Sequence, residues 1–247
     1  MIPSIMHGVT PQRFKQVDAV AAGNDPMWES VACMLHCNGT DASTTITDSR
    51  YLSTWTCSGD AKLATAQKQF GSASIVFDGT GDYVSASSNS LFAFGGDFTI
   101  ECWLYVNASV AAWARVIENE QYNVTGGWHI SFNGSDSGGS RRLGFQVGLN
   151  GGGGSRIDSN AAFPTAAWTH YAVTRSGSTI RTFVGGTKQT ATLTDSQAFT
   201  ATAMRLGSVL GTPGNYYWGY IDEVRLTKGF ARWTDTFTPA AAEYVDF

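Results

Sequence analysis

The chain has 247 residues, 43% of them hydrophobic, enough for one large β domain or two small ones to fill a core without disulfide staples. Its formal net charge is −4, and its 16 Lys and Arg are scattered, which leaves no electrostatic footprint for a nucleic-acid backbone or an anionic membrane. Charged residues reach only 15%, against about 25% in an ordinary globular domain, and 28 glycines with 13% aromatic residues mark a Gly-rich β protein.

Residues 1–29 carry polar and small residues with three prolines and show no sustained periodicity, so they read as an N-terminal arm or tether that gains order on a partner. No basic stretch leads into an apolar run there, and nowhere do about 18 apolar residues follow one another. The sequence therefore predicts neither secretory export nor membrane insertion. From Val31 onward short β-like runs alternate with Gly, Asn, Asp and Ser clusters, and no second change of composition follows, so residues 30–247 read as one domain. Cys33, Cys37, Cys57 and Cys102 form no C-x-x-C pair and are expected as buried free thiols. A metal set of Cys33, His36 and Cys37 is discounted, because in a strand the two thiols share one face and the imidazole takes the other.

Period-two alternation places strands at 74–77 and 83–85, then most clearly at 98–106 (FTIECWLYV). Phe98, Ile100, Cys102, Leu104 and Val106 occupy one face of that strand, which is expected to be the core face. Further strands are expected at 115–118, 128–132 and 142–147. Glu118 and Glu120 would share a face if the first of these continued, yet Asn119 and the following Gln121, Tyr122 and Asn123 look like a loop mouth, so the pair reads as a solvated edge. The run 150–155 (NGGGGS) is expected at an exposed hairpin tip. Strands at 168–175 and 179–184 flank Ser176-Gly177-Ser178, a tight-turn signal, and Gly185-Gly186 turns the chain again. The last strands are expected at 204–208 and 217–226. His129 and His170 each follow a tryptophan at a strand start and read as partly buried strand residues, and no convincing amphipathic helix occurs anywhere.

Three blocks of this pattern resemble the laminin G-like, concanavalin A-like jelly rolls common in bacteriophage structural proteins. They are FGSASIVFDGTGDYV (70–84) with GGDFTIECW (95–103), WTHYAVTRSGSTIRTFVGGT (168–187), and YYWGYIDEVRLTKGFARWTDTFTP (216–239). The last is the most specific, being similar to the closing Gly-x-Ile-Asp-Glu-Val-Arg strand and trailing Ala-Arg-Trp of that family. Residues 25–48 resemble the lead-in of many phage members. The second block departs from the family in reading Gly185-Gly186 where an Asp or Asn usually precedes Gly.

The resemblance implies an all-β, two-sheet antiparallel jelly-roll sandwich with an extended N-terminal arm. It also implies a calcium site at the rim, with Asp78 and Asp222 as carboxylates from neighbouring strands; the structural alternative is that Asp78 caps a turn and Asp222 accepts backbone hydrogen bonds. No cofactor is required. Glycan binding would use exposed aromatic faces with nearby amides. The loop TPGNYYW offers Asn215, Tyr216, Tyr217 and Trp218, and a second loop offers Tyr122. Strand alternation turns at least one of the three consecutive aromatics inward, and packing or a subunit interface is the competing explanation. Hydrolases of this fold often carry Glu-x-Asp-x-x-Glu on one strand, an array this chain lacks. The expectation is thus a non-enzymatic virion protein, made in the host cytoplasm and displayed outside a tailed-phage particle. Its arm would dock on capsid or tail proteins, its body would bind host surface polysaccharide, and homo-oligomers would be in keeping with phage appendages. A dedicated lectin-like adhesin and a polysaccharide depolymerase are the alternatives.

Overall fold

The computed structural model describes residues 24–107, 110–120, 124–134, 141–149, 154–211 and 213–247. In chain order its first strands are β1 (Val31–Leu35), β2 (Thr45–Ile46), β3 (Trp55–Ser58), β4 (Lys62–Ala64), β5 (Ser74–Asp78), β6 (Tyr83–Ala86), β7 (Phe98–Val106) and β8 (Arg115–Glu118). They continue with β9 (Trp128–Phe132), β10 (Leu143–Val147), β11 (Arg156–Asp158), β12 (Trp168–Ser176), β13 (Thr179–Val184), β14 (Thr187–Thr194), β15 (Met204–Leu206) and β16 (Trp218–Lys228). Two eight-stranded sheets result, one ordered β14-β13-β12-β7-β16-β5-β4 with β1 added beside β16, the other β11-β10-β9-β8-β15-β6-β3-β2. Every pairing is antiparallel, and the two-sheet jelly-roll sandwich expected from the sequence is the fold observed.

The strands at 98–106, 115–118, 128–132 and 179–184 fall where the alternation places them. Strands β2, β4 and β11 are too short to carry a period-two signal, and β14 (TKQTATLT) is mostly exposed and has Leu193 as its one large apolar residue. Among the described residues the only helices are two single 3-10 turns. The connection between the antiparallel pair β10 and β11 holds the whole NGGGGS run, whose residues 150–153 lie outside the described residues.

Phe98, Ile100, Cys102, Leu104 and Val106 of β7 are fully buried between the sheets, as their alternation requires. The opposite face departs from the sequence expectation, since Thr99, Glu101 and Trp103 are buried as well. Trp103 is covered by Phe70 and His170. Thr99 and Glu101 are covered by the segment after β16, which crosses the outer face of the first sheet. The Phe230 carbonyl accepts from Thr99 Oγ1 (3.0 Å) and the Trp233 carbonyl from Thr174 Oγ1 (2.9 Å). Trp233 and Phe237 stack at 3.8 Å between centroids and pack with Ala172 and Phe183 into a second apolar cluster. At Gly186 (φ +75°) the segment passes so close that a Cβ would lie 2.1 Å from the Phe237 carbonyl oxygen. Only glycine satisfies both the turn and that approach.

Long strand β16 organises the sheet. One side pairs with β7 throughout; the other pairs with β5 over Trp218–Ile221 and with β1 over Val224–Thr227. Between the two partners the ladder to β7 bulges at Glu223 and Val224, just after Asp222, and Glu223 adopts φ +50°. A left-handed conformation costs a non-glycine residue about 1 kcal/mol or more, so the surrounding contacts must hold it.

Candidate functional site

Polar and aromatic groups converge in two places on the described surface. The first is the rim where the 213–217 loop enters β16. Asn215 is exposed with φ +51°, and its carbonyl accepts the Arg115 N–H at 2.8 Å. Tyr216 is half-buried. Tyr217 turns inward, stacks near Phe132 and Phe77, and donates its hydroxyl to the Tyr105 carbonyl at 3.1 Å. It is therefore a core residue, which corrects its reading as a sugar contact. The next residue must face outward by strand alternation, and Trp218 is 39% exposed. Directly opposite it on β5 stands Asp78, whose Oδ1 accepts the Thr80 N–H at 2.7 Å, an Asx turn. The Trp218 side chain lies against Gly79, where a Cβ would sit 3.1 Å from it.

One rim aromatic escaped the sequence reading. Trp113, also 39% exposed and at φ +63°, lies beside the Arg156 guanidinium (5.6 Å) and precedes by two residues the Arg115 that holds Asn215. Its only sequence signal is a lone large aromatic after two alanines. Tyr122 lies outside the described residues.

Asp78 and Asp222 do not share a ligand set. Asp78 pairs with Trp218, whereas Asp222 is four residues further along β16, about 13 Å at strand rise. Asp222 is buried and accepts the N–H groups of Gln69 (2.9 Å), Phe70 (3.2 Å) and Glu223 (2.9 Å). Burial pushes its carboxyl up to about 7, those amides opposing and the Glu223 charge adding. Its hydrogen-bonding capacity goes to tying the 69–70 turn to the bulge.

The second place lies under the chain end, where a cavity of about 610 Å³ is lined by His36, Cys37, Asn38, Thr47, Glu243 and Asp246, among others. His36 Nδ1 is 2.9 Å from Glu223 Oε1 and 3.4 Å from Glu243 Oε1, while Nε2 is 2.7 Å from Asp246 Oδ1. Burial alone would lower the imidazole, but bonds and charges from Glu223 and Asp246 raise it to about 9. The neighbouring Cys33 and Cys37 are buried free thiols, and His36 finds its partners in carboxylates from the far end of the chain.

A family model described as the concanavalin A-like lectin/glucanases superfamily matches residues 78–231, the stretch from Asp78 through the whole of β16. This chain belongs to that superfamily. No curated protein matches it. Among solved structures, this member of the superfamily is similar to domain 4 of the extracellular arabinanase AbnA from Geobacillus stearothermophilus, determined with arabinotriose. Identity is 17% and the TM-score 0.58, over 81% of this chain and 93% of that one. The binding domain of botulinum neurotoxin serotype D/C is similar at 13% identity and TM-score 0.60, over 89% of this chain and 50% of that one. Botulinum neurotoxin type C, whose cell entry depends on interaction with two ganglioside molecules, is similar at 14% identity and TM-score 0.59, over 83% and 50%. The chain thus spans about half the length of these neurotoxin domains.

A superfamily that contains glucanases raises the question of paired carboxylates. Glu118 is fully buried, takes Arg115 Nε on Oε2 at 2.5 Å and the Leu210 N–H on Oε1 at 3.1 Å. Burial pushes its carboxyl up against the opposing Arg115 charge. A carboxylate with both oxygens so engaged, inside the second sheet, faces the protein rather than a scissile bond, which corrects its reading as part of a solvated edge.

Proposed function

We propose that this chain is a non-catalytic, lectin-like recognition module displayed on the exterior of a tailed-phage particle, and that its rim around Trp218 takes host surface glycan. The observation that carries the reading is the exposed Trp218 ring beside the turn carboxylate Asp78, with Tyr216 and Asn215 on the adjoining loop. An indole face meets the C–H face of a pyranose, and an amide and a carboxylate meet its hydroxyls. Trp113 extends the same rim through the Arg115 to Asn215 bond. Support also comes from similar structures in two settings, an arabinanase domain with arabinotriose and a ganglioside-dependent neurotoxin. The virion setting rests on the resemblance of the 70–103, 168–187 and 216–239 blocks to phage proteins, with residues 1–24 as the part that docks on capsid or tail, since Asp25 is already buried in the body against Arg225 and Arg232.

The test is binding of the purified chain to host cells and isolated host polysaccharide, with and without a calcium chelator. Saturable binding is expected, competed by free glycan, lost in Trp218→Ala and unaccompanied by polysaccharide turnover. Sensitivity to the chelator that added Ca²⁺ reverses and Asp78→Asn abolishes would assign calcium to the Asp78 turn. Absence of binding by a folded protein, or binding that Trp218→Ala leaves intact, rejects the site. Labelled antibody against the chain should decorate intact phage particles; unlabelled particles reject the virion setting.

A further inference from the structure

The groups beneath the chain terminus come from three distant parts of the sequence. His36 follows β1, Glu223 occupies the β16 bulge, and Glu243 and Asp246 belong to the last five residues. One imidazole nitrogen and two carboxylate oxygens converge there, all three donor atoms within 4.8 Å of one another. That mixed set is of the kind Zn²⁺ takes, whereas Ca²⁺ requires six to eight oxygens. The spacing also fits. Tetrahedral bonds of about 2.0–2.1 Å put neighbouring ligands about 3.3 Å apart, and here Nδ1 lies 2.9 Å from Glu223 and 3.4 Å from Glu243.

The surroundings match what a metal-bound histidine needs. Its second nitrogen pairs with a carboxylate, His36 Nε2 to Asp246 Oδ1 at 2.7 Å, an arrangement that fixes ring orientation and strengthens the donor. The other Glu223 oxygen accepts the Tyr244 N–H at 3.1 Å, and Glu243 accepts from the Asn38 amide. Glu223 and His36 are buried or nearly so, which limits competing water, while the adjoining cavity leaves room for a fourth ligand. Arg225, the nearest large cation packed on Tyr244, is committed to Glu101 and Asp25. Three carboxylates thus surround a single imidazole.

We propose that His36, Glu223 and Glu243 form a binding site for a zinc-type divalent cation, oriented by Asp246, which pins the chain terminus to the β16 bulge. The full chain, stripped with chelator, would be titrated calorimetrically with Zn²⁺ and separately with Ca²⁺, and with Co²⁺ as a spectroscopic stand-in. One equivalent of Zn²⁺ should bind with no heat from Ca²⁺ at the same concentrations. Co²⁺ should show tetrahedral visible bands without a thiolate charge-transfer band. His36→Ala and Glu243→Gln should each weaken Zn²⁺ at least tenfold, Asp246→Asn about tenfold, and Cys37→Ser should have no effect. Glu243 is 37% exposed near the chain end, so Glu243→Gln keeps the test sound if His36→Ala fails to fold. Absence of stoichiometric Zn²⁺ binding, or binding that Glu243→Gln leaves unchanged, overturns the proposal. So does a thiolate band that Cys37→Ser removes, which would move the ion to the cysteines.

Discussion

Tyr217 and Trp218 are adjacent in sequence and opposite in consequence. Tyr217 is buried between Phe77 and Phe132 and anchors its hydroxyl on Tyr105, so Tyr217→Ala should cost about 3–5 kcal/mol by cavity formation. Trp218→Ala should cost under about 1 kcal/mol, as a surface change. Urea denaturation of both variants checks the split, and equal losses would mean that Trp218 is packing rather than recognition surface. Glu101 offers a titration test at the same scale. It is fully buried and receives Arg225 Nε (2.9 Å) and Tyr244 Oη (2.7 Å), with His170 Nε2 at 3.1 Å. Burial alone would push its carboxyl up, but Arg225, His170 and Arg232 outweigh it and hold the group well below the usual carboxylate range. A depressed folded pKa contributes stability that is present above the unfolded value, about 4.3, and lost as pH falls toward the folded one. Denaturation midpoints measured from about pH 6 to pH 2 should therefore fall steeply below about pH 4. Glu101→Gln should flatten that slope and cost up to about 3 kcal/mol at neutral pH, because buried Arg225 loses one charged partner while keeping Asp25.

The decisive element is β16 with the segment that follows it. Its first half carries Trp218 to the rim beside β5, its bulge aims Asp222 and Glu223 into the gap between β5 and β1, and its continuation seals the outer face of β7 and β12. Phe237 closes that seal against Trp233, Phe183 and the His170 ring. Phe237→Ala should destabilise the fold by about 3 kcal/mol and speed proteolysis within 229–247, readable by limited digestion. Unchanged digestion would show that the seal is held by its backbone bonds alone. The alternation of FTIECWLYV made the inner face of β7 legible, because apolar residues at every second position have one place to go. Nothing in that strand shows that Thr99 and Glu101 are covered too, since their cover arrives more than a hundred residues later in the sequence, or that Trp103 meets Phe70 and His170.

At the scale of the molecule, Asp25 at one end of the described chain accepts from Arg225 and Arg232, and its N–H donates to the Phe247 carbonyl at 2.7 Å. The sandwich is thereby closed on itself, with the rim of Trp218 and the carboxylate cluster of His36 served by the same strand. Local pattern by itself determined the all-β class, most long strands, the turn at Gly185-Gly186 and the inward turn of one among three consecutive aromatics. These are short-range properties, set by side-chain alternation and backbone sterics within a few residues. Register and long-range pairing decided the rest. They chose Tyr217 as the buried aromatic, separated Asp78 from Asp222 by four strand positions, and brought Trp113 to the rim. They also joined His36 to Glu223 across 187 residues, a meeting that exists only once β1 pairs with the second half of β16.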